Sequence, residues 1–82
     1  MLISSSESIL SLGLGIRTSD MLERSGVWTI PSARVLPVQN ESVRLFHPEL
    51  TDKILAELDE QLNARGMSRG ASPAEAFADP RV

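Results

Sequence analysis

One stretch constrains this chain more than any other, the run from His47 to Gly66. With about 100° between successive residues of an α-helix and Leu50 set at zero, Ile54 falls at ~40°, Leu58 at ~80°, Leu62 at ~120° and Leu55 at ~140°. Five large apolar side chains therefore share one face, and Asp52, Lys53, Glu57, Asp59 and Glu60 take the others. Pro48 suits the first helical position, where its missing N–H costs nothing. Glu49 and Asp52 favour the first turn through the helix dipole. Arg65 falls in the last turn, and Gly66 is a natural stop. The spacing predicts an amphipathic helix over 48–65. Burying each stripe residue contributes roughly 1.5–3 kcal/mol as an upper bound. Such a helix needs a partner surface, and the earlier chain has to supply it.

The sequence has 82 residues, enough for one modest core and no second one. Without cysteine, neither disulfides nor thiolate metal sites can staple it, which fits a reducing compartment. No apolar run approaches the ~18–20 residues of a membrane span. The first residues lack the basic start and long apolar core of a signal peptide. These features predict a cytoplasmic protein with no membrane partner. The net charge is −3, and its distribution is uneven. Residues 1–46 carry four arginines against four carboxylates, whereas residues 47–82 carry four basic against seven acidic residues. Nucleic-acid binding by counterion release needs clustered positive charge, which an acidic chain is poorly placed to offer.

Taken in order, Ser4 and Glu7 have capping-box spacing and predict a short helix over 4–12. Gly13-Leu14-Gly15 reads as a turn. Thr18 then caps a second short helix, with Met21 and Leu22 facing inward and Gly26 ending it. From Val27 to Phe46 the chain is rich in Val, Ile, Leu, Trp and Phe without helical spacing, so the expectation is a β-hairpin. Its strands would lie near 33–38 and 42–46 around a turn at Gln39–Glu41, and Pro37 would confine its strand to an edge or a bulge. The segment 67–82 is rich in Gly, Ser, Pro and Ala. Ser72-Pro73 could start one helical turn and Asp79-Pro80 would end it; the segment reads as a flexible tail, dispensable for folding. The predicted class is α+β: two short N-terminal helices, a hairpin and one long amphipathic helix in a compact domain over 1–66, followed by a tail over 67–82.

Catalytic constellations lack their parts. Cysteine and tyrosine are absent and His47 is the single histidine, so nucleophilic triads, zinc sites and histidine proton transfer have no partners. Carboxylate neighbours such as Asp59 and Glu60 fall on the polar helix face as solvated charge. Gly13-x-Gly15 lacks the Lys-Ser or Lys-Thr of a phosphate loop. The expectation is a protein that is not an enzyme and has no metal, no cofactor and no small-molecule substrate.

The order of elements is more informative. Gly13, Leu14 and Ile16-Arg17-Thr18 are followed by Gly26-Val27, then Pro31 and Arg34. Asn40, Val43-Arg44-Leu45-Phe46, Pro48-Glu49-Leu50 and Ile54 complete the pattern. Over about residues 4–62 this resembles the winged helix-turn-helix of MerR-type and excisionase-type DNA-binding domains. The resemblance implies a small DNA-binding regulator of transcription or excision whose second helix enters the major groove of duplex DNA. On that implication Arg17, Thr18, Ser19 and Arg24 approach the DNA, and Arg34 and Arg44 reach phosphates from the wing.

A second class stays open beside it. A small, acidic, cysteine-free chain also suits a phage or bacterial protein-interaction module such as an adaptor, an antitoxin-like neutraliser or an assembly subunit. Its partner would meet the acidic face of helix 48–65, including Glu57 and Glu60, the exposed edge of the hairpin, the tail, or the sole tryptophan, Trp28, a hot-spot residue type if it is exposed and a core residue beneath the hairpin if it is not. The helix stripe also leaves room for a homodimer.

Overall fold

The computed structural model describes residues 7–77. A 3₁₀ turn over Ile9–Leu12 leads into five helices: α1 (Ile16–Arg24), α2 (Ile30–Arg34), α3 (Asn40–Phe46), α4 (Asp52–Ala64) and α5 (Pro73–Ala76). The expected α+β class is overturned: among the described residues no sheet forms, and the one β pairing is an isolated antiparallel bridge between Ser8 and Thr29. No helix of the described residues is long and apolar enough to cross a membrane.

The expected hairpin is replaced by α2 and α3. The hydroxyl of Thr29 accepts the Ser32 N–H, and Pro31 sits in the first turn, where its fixed φ and missing donor are tolerated. Ile30 and Ala33, three residues apart, then face the core. In α3 only Val43 is buried, while Leu45 and Phe46 are turned to solvent. Pro37 lies in the linker between the two helices rather than in an edge strand. The β preference of such residues reflects fit to a half-buried sheet and yields when local caps and tertiary packing favour a helix.

The amphipathic helix is present but starts later than expected. Thr51, not Pro48, precedes it: its hydroxyl accepts the Ile54 N–H, and Asp52 takes the first turn. Pro48 and Glu49 form a turn closed by the Leu50 N–H on the His47 carbonyl. Leu50 thus falls just before the cap and Leu55 four residues inside, the spacing of a hydrophobic staple. All five stripe residues are buried. They join Ile9, Leu12, Leu22, Val27, Ile30, Ala33, Leu36 and Val43 in one core, with α1 packed on α4. The N-terminal segment is tied in by the Ile9 N–H on the Trp28 carbonyl and the Ile30 N–H on the Glu7 carbonyl. The predicted cap at Ser4 lies outside the described residues; within them Ser8 caps the 3₁₀ turn.

Beyond α4, residues 67–77 of the expected flexible tail are packed on the fold, while residues 78–82, with the expected stop at Asp79-Pro80, lie outside the described residues. Gly66, at φ 75°, closes the helix with the Met67 N–H on the Leu62 carbonyl, a left-handed stop that a side chain would strain. Residues 67–77 then return along α2. Gly70 and Ala71 donate to the carbonyls of Leu36 and Arg34, and α5, capped by Ser72 as its sequence suggested, packs on α2. Arg69 is buried with four hydrogen bonds, two to Asp59, one to the Pro37 carbonyl and one to Asn40. The compact fold therefore extends past residue 66 to include this segment.

Candidate functional site

The packing of α1 against α4 leaves an open groove of about 740 Å³ along one side of the molecule. Its position follows from a local arrangement. Gly15 opens α1 with no side chain of its own to cap the helix. Glu57, near the middle of α4, supplies the acceptor instead, taking the Gly15 N–H and the Thr18 hydroxyl at 2.6 Å each. These bonds hold the Glu57 carboxyl below the usual carboxylate range, the Gly15 backbone bond contributing most, then Thr18, with Lys53 adding charge.

The groove's apolar surface comes from Ile16, Met21 and Ile54. Ile16 is 91% exposed, although it is a large β-branched residue in the first turn of a helix. Arg17, Arg24 and Lys53 bring positive charge to the same groove, and Asp20, Glu49 and Glu57 bring negative. The carboxylates are committed within the fold: Asp20 pairs with Arg24 at 3.0 Å, Glu49 accepts the Ser25 hydroxyl, and Glu57 caps α1. The bond from Ser25 is also the main reason the Glu49 carboxyl is held below its ordinary range. No carboxylate of a described residue forms an ion pair with Arg17 or Lys53.

The residues expected to contact DNA do not share one face. Arg17 and Arg24 lie a helical repeat apart on α1 and both line the groove. Thr18 and Ser19 are buried on the inner side of α1, Thr18 held by Glu57. Arg34 turns to the C-terminal segment, toward the Ser68 carbonyl and 3.7 Å from Glu75. Arg44 is on α3 and pairs with Asp52 at the start of α4. Of the residues considered for a protein partner, Trp28 is 58% exposed beside the Ser8–Thr29 bridge, Glu60 is exposed on α4, and Glu57 lines the groove. Leu45 and Phe46, 79% and 76% exposed on α3, form a separate apolar spot at positions where the resemblance implies a wing. Sequence reasoning did not mark Ile16 or Lys53 as site residues, because their shared groove exists only once α1 docks on α4.

His47 ends α3 and faces Glu49 at 4.0 Å. Among the described residues no group of three or more His, Cys, Asp or Glu is arranged to hold a metal ion. The groove therefore offers contact chemistry, with apolar side chains beside charges that balance, Arg17, Arg24 and Lys53 against Asp20, Glu49 and Glu57. Compared with protein-family models, curated proteins and solved structures, the chain matches none.

Proposed function

We propose that this chain is a non-enzymatic, cytoplasmic protein-interaction module that receives a segment of a partner protein in the α1–α4 groove. The observation that carries this reading is the exposed Ile16 beside Met21 and Ile54 in a concave surface. Exposed apolar side chains in a concavity favour a protein surface over a phosphate backbone. The carboxylates of the groove cap a helix or bind neighbouring side chains, which suits a structural role better than proton transfer.

Duplex DNA is the competing partner. Its support is the placement of Arg17 and Arg24 on one side of α1. Against it, the groove is charge-balanced and would displace few counterions, and Arg34 and Arg44 are engaged elsewhere. The test pairs two binding assays on the full chain: titration against a random duplex pool at low salt, and selection from a displayed library of random short peptides. The expected result is peptide capture that Ile16→Asp abolishes, with no duplex retained. Retention of duplex that Arg17→Ala weakens would overturn the proposal in favour of DNA.

A further inference from the structure

We infer that the cleft between α4 and the α2–α3 linker is a recognition site for an arginine–glycine segment, filled in this structure by Arg69 and Gly70 of the same chain and exchangeable for the same segment of a second copy. None of its residues lines the α1–α4 groove, so it does not depend on the reading of that groove. Two neighbouring positions of the segment are each selected by a separate feature. Arg69 meets the Asp59 carboxylate through two donors, the Pro37 carbonyl and the Asn40 side-chain oxygen. A guanidinium serves such a set with its fixed fork, whereas a lysine brings one compact ammonium. The next position accepts only glycine, because its φ is 84° and a Cβ would collide with Cγ2 of Val38. The N–H groups of Gly70 and Ala71 then donate to the Leu36 and Arg34 carbonyls at 2.9 and 3.0 Å. Those carbonyls lie at the end of α2, where a helix has no acceptor partners of its own.

The segment is held as a ligand is held. The core cluster contains no residue of 68–77, and Ala76 is the single buried apolar residue among them. The remaining ties are the arginine fork, backbone hydrogen bonds and the Arg34–Glu75 pair. They can break and re-form while the core stays packed. Gly66 and the Met67 N–H on the Leu62 carbonyl close α4 first, so the swing falls at the exposed Ser68. A cavity of about 260 Å³ lined by Val38, Asp59, Asn63, Ser68 and Arg69 opens the pair to solvent. Fit then names the occupant. A second copy brings the same arginine, the same glycine and the same backbone donors, and so reproduces every contact. The tether decides when it does so. It holds the chain's own segment at an effective concentration on the order of millimolar, and exchange follows once the contact within the chain is weakened.

The test adds a synthetic peptide of residues 67–77 to the full-length Arg69→Ala chain, which lacks its own arginine but keeps Asp59, Asn40 and Val38. Circular dichroism confirms the fold first, and Arg69→Lys takes its place if Arg69→Ala does not fold. The peptide is expected to bind saturably, to raise the melting temperature and to shift the amide signals of Leu36–Asn40 and Asp59. Peptides carrying Arg69→Lys or Gly70→Ala should bind about tenfold or more weakly. Absence of binding, or equal binding by all three peptides, would overturn the site. A second measurement mixes full-length Arg69→Ala with full-length Asp59→Ala, neither of which can form the pair within itself. Light scattering should then show a mixed dimer that neither chain forms alone. A mixture that stays monomeric would overturn exchange between copies.

Discussion

The guanidinium of Arg69 lies bidentate on the carboxylate of Asp59, with Nε 2.7 Å from Oδ1 and Nη2 2.8 Å from Oδ2. Nη1 and Nη2 also donate to the Pro37 carbonyl at 3.0 Å and the Asn40 side-chain oxygen at 2.8 Å. One buried side chain thus joins the C-terminal segment, α4, the α2–α3 linker and the start of α3. Arginine suits this place because its planar fork can serve several acceptors at once. Arg69→Ala leaves those acceptors without their donor. Asp59 is 37% exposed on its side chain, so water recovers part of the loss. The expected cost is about 1–3 kcal/mol, which for a chain of this size lowers the melting temperature by roughly 5–20 °C. A thermal melt that overlays the native one would contradict the clamp.

Gly70 holds the same segment from the other side. It sits at φ 84°, and a Cβ there would collide with a methyl of Val38. Gly70→Ala should cost about 1–3 kcal/mol and raise amide exchange over residues 67–77 before the rest of the core opens. Adding Val38→Ala should recover the collision and leave the backbone strain. Unchanged protection in Gly70→Ala would show that the segment is not held at this point.

The helix α4 was legible in the sequence because thirteen helical residues show the 3.6 period several times over. Its true start was legible too, in Thr51 followed by Asp52, but Pro48 gave a competing signal. The stretch from Val27 to Phe46 was not legible as helix. α2 and α3 have five and seven residues, too few to display a period, and their Val, Leu and Phe content favours strand by propensity alone. Thr29 with Pro31 was the local sign of a helix start that outweighs that preference. The role of Arg69 could not be read, since its partners lie 10, 29 and 32 residues away along the chain. The same holds for the groove, where Arg17 meets Lys53 only through packing.

The buried and exposed leucines of this fold should separate cleanly. Leu58 is fully buried and belongs to the core, so Leu58→Ala should cost about 2–5 kcal/mol, enough to unfold most of so small a domain. Leu45→Ala removes a largely exposed side chain and should change stability by less than about 0.5 kcal/mol. Denaturant titration of both variants checks this; equal midpoints would contradict the packing.

Acid should loosen the junction of α1 and α4. The Glu57 carboxyl is held below its ordinary range by Gly15 and Thr18, so the folded state binds its proton less readily than the unfolded chain. Its contribution is fully present above the unfolded value and is lost as the pH falls through the folded one, from about pH 5 downward. Glu57→Gln should be less stable than the native chain at neutral pH by about 1 kcal/mol, the usual scale of a lost helix cap. The gap should narrow on acidification, as read from melting temperatures between pH 7 and pH 3. A gap that stays constant would show that the carboxylate form is not what holds α1.

The placement of the binding face is tested most directly by mapping amide chemical shifts of the isotope-labelled chain while one peptide selected on the native chain is added. The groove reading predicts changes concentrated in Gly15–Arg24 of α1 and in Glu49–Glu57 around the start of α4, with α5 unmoved. Changes centred on Leu45 and Phe46 or on Trp28, or none in the groove at saturation, would contradict it.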